Sequence, residues 1–555
     1  MDNQSQVASL IERGDKLYGK RSSLLVLWQE MADHFYPERA DFTYMHYLGE
    51  EFAAGSTTSY PFYVRRELGN SFSGMLRPTN LDWFHVTTDD EKDHTVEDKR
   101  WLEWASHIQR KQMYRRETNF MRATKEGDHD FATFGQAVIT TDIDWKKPKP
   151  ALLYKGWHLR DCAWAERYDG SIGELHIKWK PTVSQLRSQY GSSSLHSSCQ
   201  SEKRDQQEIQ CRIVLIFSED YQTDIRHPWT YNVIDTENRH EIFRGGRYVP
   251  GFSIPRWQTV SGSQYAFSPA TVAGLPDARM LQAMSLTLLE AGEMAVRPPL
   301  ISTQEAIRGD IAYFAGGITV ADAEYDERLG DVLRPVTQDK SGLPFGMDFA
   351  QDIRGMLASA FYLNKLTLPQ GGSKEMTAFE TRERVQEYIR EALPLFEPME
   401  QDYNGSLCEQ SFELLLRAGA FGSMANIPRG LQGRDIRFRF ESPLHDAIEK
   451  QKGMQFTQTA QLLDQAMALD PMALVDIDVR TAFRDAVSGV GISSEWLRRE
   501  DEANQMAAAM VQAQNNQKML EQAAQGGEAM KAMGEGGRAV GVNPGEMKEV
   551  INAAA

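Results

Sequence analysis

Few places in this chain bring together residue types that could do chemistry. Asp128-His129-Asp130 and Asp142–Asp144 hold carboxylates, the first with an imidazole, close enough along the chain to offer ligands to a divalent cation. Runs of this kind are more often turn residues or solvated faces, and no metal is expected. The 12 histidines show neither HExxH nor any comparable ligand spacing. Gly69-Asn70-Ser71-Phe72-Ser73 resembles a nucleophile elbow, but Ser73 stands where that motif requires glycine, so a helix of small residues packing closely is the better reading. No glycine-rich loop ending in Gly-Lys-Ser or Gly-Lys-Thr is present to cradle phosphates, which removes a motor activity of the chain's own. The four cysteines, Cys162, Cys199, Cys211 and Cys408, form no CxxC pair, so neither a zinc site nor a disulfide framework is expected, and a reducing compartment fits. The expectation is a protein that is not an enzyme and carries no cofactor.

Charge narrows the partners. With 61 basic and 78 acidic side chains the formal net charge is −17, whereas a tight duplex binder needs a basic face to displace the counterions of DNA. A surface past which DNA slides without sticking remains compatible. Three basic stretches stand out, Arg110–Arg116, Lys146–Lys149 and Arg434–Arg439, and each is read first as an exposed charged face or an ion-pair partner. At 555 residues and 41% hydrophobic content the chain can bury a sizeable core in three or four compact parts. No apolar run approaches the ~20 residues of a membrane span, and the N-terminus lacks the apolar segment of a signal peptide, so synthesis in a cytoplasm is expected.

The elements that must position these residues are mainly helical, with strands between them, an α+β class. Helical spacing predicts a helix from Ser5 to Tyr36 ended by Pro37, another from Tyr63 to Leu76 stopped by Pro78, and a charged one from Val96 to about Phe134. Strands follow at Ala137–Trp145, Glu174–Trp179 and Ile209–Phe217, with a Ser- and Gln-rich surface loop over Ser188–Arg204. A long helix is expected over Val272–Val296, starting near Pro276, then short strands and turns to Leu343, then a helix over Asp348–Leu366. Thr377–Arg417 reads as one long helix kinked at Pro394 and Pro398. Ser442–Arg499 has the pattern of short helices, and Glu500–Gln525 is an Ala-, Gln- and Met-rich helix with too little large apolar surface to fold alone.

Five stretches together resemble the head-to-tail connecting (portal) proteins of podoviruses. They are ELGNSFSGMLRPTNLDWFHV at Glu67–Val86, DFATFGQAVIT at Asp130–Thr140, KWKPTVSQLRSQYG at Lys178–Gly191, IPRWQTVSGSQYAFSP followed by a helix and RPP over Ile254–Pro299, and MTAFETRERVQEYIREALPLFEPMEQDYNGSLCEQSFELLLRAG at Met376–Gly419. Each is weak alone; their order over residues 20–420 makes the joint match specific. One departure lies at Gln264-Tyr265-Ala266-Phe267, where the resemblance would place glycine after the tyrosine.

The resemblance implies a subunit of a ring of about twelve copies around an axial channel, at one capsid vertex of a virion. It implies a wing over 1–271 with 377–440, stem helices at 272–296 and 348–365, a clip at 297–347, a channel loop at 366–376, a crown at 441–499 and a C-terminal barrel helix and tail at 500–555. The implied partners are double-stranded DNA in the channel, the terminase large subunit, the tail adaptor, and capsid and scaffolding proteins, with no membrane. Lys365, Gln370 and Lys374 are the implied channel residues, and Lys365 reads equally well as a stem-surface ion-pair residue. The alternatives are another virion structural protein, such as a tail tube or adaptor, and a metal-dependent DNA-processing enzyme; the first should be shorter or repetitive, and the second should cluster carboxylates for two metals.

Overall fold

The structure is a computed structural model that describes residues 3–302 apart from 48, 80–81, 90–94, 148–149, 202–203, 222–225 and 297–299, then 333–335, 342–363, 399–440 apart from 424–425, and short pieces between 456 and 513. Two compact units are present, Met1–Ala447 and Ile448–Ala555. The described pieces of the second are helical, with Phe456 and Phe483 in ring contact at 5.9 Å. The crown and barrel expectations otherwise lie outside the described residues.

The first unit mixes helices and antiparallel sheets. Its N-terminal region forms α1 (Asn3–Lys20) and α2 (Ser22–Phe35) instead of one helix. The break falls at Arg21, which is 2% exposed and donates to the carbonyls of Leu159 and Arg160 (2.7 Å to the former). Satisfying that buried guanidinium needs a backbone turn, and the weak helix formers Gly19, Ser22 and Ser23 around it permit one. α3 (Tyr60–Leu76) starts with Pro61 in its first turn. β1 (Phe84–Thr88) follows. The single helix expected over 96–134 is also two, α4 (Val96–Met113), opened by a Thr95–Asp98 capping box, and α5 (Phe120–Phe134). Between them Asn119 adopts a left-handed conformation (φ 58°), a local signal that charge periodicity does not carry.

β2 (Val138–Asp144), β3 (Ala151–Trp157) and β9 (Phe252–Ser253) form a three-stranded sheet in the order β3-β2-β9. β4 (Cys162–Glu166), β5 (Ile172–Trp179), β6 (Cys211–Phe217), β7 (Trp229–Asp235) and β8 (His240–Arg247) form an antiparallel meander, with α6 (Val183–Tyr190) and the single turn α7 (Ser218–Tyr221) in its connections. Ile213 and Leu215 of β6 face the main core, while Val214 and Ile216 meet Val7 and Leu10 of α1 on the other side. Both faces are covered, which is why β6 reads as an unbroken apolar run and not as an alternation.

α8 (Pro269–Val296) and α9 (Gly342–Ala360) make a two-helix arm. α8 starts seven residues before Pro276, which lies on its exposed face where the carbonyl deprived of a helical partner can be hydrated. α9 starts six residues earlier and stops earlier than expected, because Phe361 turns back into the core and Tyr362 is left-handed (φ 58°). α9 therefore ends at Ala360, and residues 364–366 of the expected helix lie outside the described residues. β10 (Leu300–Ser302) pairs antiparallel with β11 (Leu333–Pro335), two of the short strands expected between the arm helices. The long helix expected from Thr377 is described only from Met399: a π-helical turn at Glu400–Gly405, just after Pro398, leads into α10 (Ser406–Arg417). β12 (Ile436–Phe440) closes the unit by pairing with β1, Phe84 opposite Phe440.

Gly135 ends α5 at φ 74°, and a Cβ there would collide with the backbone of Phe267 and Ser268. Two constraints, the left-handed φ and contact with unyielding main chain, thus meet in the glycine of the DFATFG stretch. Gly135→Ala should destabilise the first unit by about 2–4 kcal/mol, read as a lower denaturant midpoint by circular dichroism; an unchanged midpoint would show that the 267–268 segment yields freely.

Candidate functional site

The acid-rich run at 128–130 is taken up entirely by arginines. Asp128 is fully buried and pairs with Arg77, the C-cap of α3, which is also hydrogen-bonded to Asn404 at 2.7 Å and lies 4.7 Å from the Tyr403 ring. Asp130 accepts two hydrogen bonds from Arg39, at 2.7 and 3.1 Å. Between them His129 Nδ1 accepts from Arg65 at 3.1 Å, and Arg65 stacks 3.8 Å over Tyr36. Burial pushes both carboxyl groups up, and the paired guanidinium opposes it in each case. Every metal-ligand candidate of this run is thus spent on fastening α5 to its neighbours. Asp142 likewise pairs with Arg247 at 2.7 Å, and Asp144 accepts from the Lys146 backbone at 3.0 Å. Among the described residues no group of three or more His, Cys, Asp or Glu is placed to hold a metal ion.

The elbow-like motif lies inside α3. Ser71 donates back to the Glu67 carbonyl at 2.8 Å, Phe72 is buried, and Gly69 lets His129 of α5 come against the helix backbone. Small residues there serve close helix packing. The basic stretches are paired as well: Arg110 with Asp82, Lys147 with Glu117 at 3.5 Å, Arg437 with Asp89. In β12 the residues alternate, Ile436, Phe438 and Phe440 packing on the second core and Arg437 and Arg439 pointing out. The four cysteines are free and buried. Lys365, Gln370 and Lys374 lie outside the described residues.

What sequence reasoning missed is the outer face of the arm. At 28 residues α8 is about 42 Å long. Its first half is anchored in the core by Ala270, Gly274, Leu275, Ala278 and Leu281. At the root, Gln282 accepts from the Thr57 and Thr58 backbones at 2.7 and 3.1 Å, and Arg279 pairs with Glu30. The helices pack antiparallel with a glycine at each end: Gly274 admits Phe361 and Leu357 of α9, and Gly346 admits Leu288 of α8. The buried stripe of α9 is narrow, with Gly346, Ala350, Ile353 and Leu357 at helical spacing. Large apolar side chains remain outside it: Leu286, Leu289 and Val296 on α8, and Phe345, Met347 and Phe349 on α9, with Val296 82% and Phe345 74% exposed. Patches of this kind mark contact surfaces. The signal lay in Pro344–Phe349, PFGMDF, which carries more large apolar residues than one helix face can bury.

The Arg77–Asp128 pair should be sensitive to losing one member. Arg77→Met leaves a buried carboxylate unpaired and should cost about 3–5 kcal/mol, seen as loss of cooperative unfolding or insoluble expression; a variant as stable as the parent would remove the pair's structural role. Burial and the nearby cations hold His129 down at about 4 and His158 at about 3. Both are neutral when folded, whereas the unfolded chain takes up their protons near 6.5. This contribution is therefore complete above 6.5 and fades as pH falls toward about 4, so the denaturant midpoint should drop over that interval, and His129→Gln should flatten part of the drop.

Residues 7–497 match the family of the bacteriophage head to tail connecting protein. A "Probable portal protein" of Bordetella phage BPP-1 is 24% identical over 469 residues, covering 80% of each chain. A "Portal protein" of Salmonella phage epsilon15 is 23% identical over 286 residues, 50% of this chain and 49% of that one. Among solved structures, a chain from the "Virion of native gene transfer agent (GTA) particle" aligns with a TM-score of 0.36 at 9% identity, over 73% of this chain and 86% of that one. With nearly the whole sequence matched, the chain belongs to the bacteriophage head-to-tail connecting proteins, a structural family, and its function is that of a phage portal protein.

Proposed function

We propose that this chain is one subunit of a ring of about twelve copies that forms the conduit for genome packaging and ejection at one capsid vertex. The observation that carries the ring is the apolar outer face of the arm, which a single chain leaves in water. Neighbouring arms packed side by side would bury it, each large side chain contributing roughly 1.5–3 kcal/mol. In this reading α8 and α9 are the stem. The segment between them is the clip, on which the terminase large subunit and then the tail adaptor dock, and residues 441–555 form the crown and barrel.

The role is mechanical and not enzymatic. Double-stranded DNA would pass through the axial channel, lined by Gln370 and Lys374 of the loop 366–376 and by the neighbouring Lys365. The net charge of −17 suits a lumen that repels phosphates and lets DNA move. Capsid and scaffolding proteins surround the ring, which is assembled in the host cytoplasm.

Native mass spectrometry with negative-stain microscopy of the full chain should show closed rings of about twelve with a central hole. A monomer at every salt concentration would overturn the ring. Leu289→Asp combined with Phe345→Asp should abolish rings and leave the far-ultraviolet circular dichroism unchanged, since Leu289 and Phe345 are 58% and 74% exposed; rings that persist would remove the arm from the interface. Deleting Leu368–Ser373 should leave rings intact and impair DNA retention, and full retention would reject the loop assignment.

A further inference from the structure

A second site lies away from the arm. Where α1 turns into α2, the ends of β3, β5 and β6 leave a cleft of about 610 Å³. Its wall carries Arg21, Arg160, Lys178, Lys180 and Arg212 against a single carboxylate, Asp161. In a chain where acids outnumber bases by 78 to 61 this is a local reversal of sign. Asp161 is already engaged, because Arg160 donates to both its oxygens at 3.2 and 3.3 Å.

The other cations converge on one ring. Lys178 Nζ lies 4.2 Å from the centroid of Tyr18, the Arg21 guanidinium 4.9 Å and the Arg212 guanidinium 5.3 Å. The ring is held there by its hydroxyl, which donates to the carbonyls of Asp161 and His176. Arg21 and Arg212 are 2% and 5% exposed, and the Nε of each is buried without a hydrogen-bond partner. Arg21 is held by two backbone carbonyls and, among the described residues, no carboxylate; Arg212 donates to the Ile11 carbonyl and pairs with Asp15, each at 2.8 Å. Burial, and then the two guanidiniums, push the Lys178 ammonium below the ordinary lysine range. Like charges gathered around one ring repel, and an anion in the cleft would relieve that repulsion. The half-buried indoles of Trp157 and Trp179 line the same cleft, with the Lys155 ammonium 3.7 Å from the first ring centroid and 5.4 Å from the second, so one further cation stands at this aromatic wall. An ammonium and guanidinium cluster next to half-buried aromatic surface suits a phosphate joined to a planar base better than a bare carboxylate.

We propose that this cleft binds a nucleotide, with its phosphate on Lys178, Lys180 and Arg212 and its base against the tryptophan wall. The nucleotide is either free or the exposed end of a nucleic-acid strand, the phosphate-and-base chemistry being the same. The site does not depend on the portal reading.

Equilibrium dialysis of the full chain against ADP, a ten-residue oligothymidylate, inorganic phosphate and hexaglutamate tests it. ADP and the oligonucleotide should bind, and Lys178→Glu with Lys180→Glu, both at exposed positions, should weaken binding at least tenfold while the unfolding midpoint stays put. Oligonucleotide binding tighter than ADP would identify a strand end as the source, and equal affinity a free nucleotide. The proposal is overturned if neither binds at millimolar concentration, if the double variant binds as well as the parent, if phosphate alone binds as tightly as ADP, or if hexaglutamate binds in preference.

Discussion

The described part of the first unit depends on charges that are buried and must therefore be matched. Arg77, Asp128, Tyr403 and Asn404 come from α3, α5 and the π-helical turn, segments separated by up to 327 residues of chain. An unpaired member would be left uncompensated in a medium that cannot solvate it, so the three segments are obliged to meet in one arrangement. The Arg39–Asp130 and Arg65–His129 contacts repeat the device on the next residues of α5. Hydrophobic burial supplies most of the driving force around them, through the Trp28, Phe72, Phe131 and Phe134 core, but apolar contacts tolerate many registers. The paired charges select one.

Glycine works alongside charge in holding these elements close. Gly127 lies where a Cβ would press on Ile139 and on the Tyr403 hydroxyl, and Gly14 brings α1 against His176 and Arg212 of the meander. In the arm, Gly274 and Gly346 allow two helices to close on one narrow stripe. Close packing on one side leaves the other side free. The arm thus combines a firm root, tied by Gln282 and Arg279, with an apolar outer face.

Charge is also distributed unevenly. The net balance is −17, yet the cleft at the α1–α2 turn gathers five cations on one wall. The same buried Arg21 breaks the N-terminal helix and forms part of that wall. One residue thereby links the local backbone, the packing of α1 on the sheet and the electrostatics of the cleft.

Sequence by itself determined the elements whose pattern is legible within a short stretch: α3, β2, β5, the unbroken apolar run of β6 and the body of α8. It also determined the family, because five ordered stretches together are specific where each alone is weak. It could not place the breaks at Arg21 and Asn119, the start of α8 ahead of Pro276 or the end of α9 at Ala360, since each follows from a partner distant in the chain or from a single left-handed residue. The DHD run shows the same limit in chemistry. Two carboxylates and an imidazole read alike whether they await a cation from solution or a guanidinium from the fold. Only tertiary structure brings Arg39, Arg65 and Arg77 to them, because the energy that pairs buried charges depends on distance in space and not on spacing along the chain.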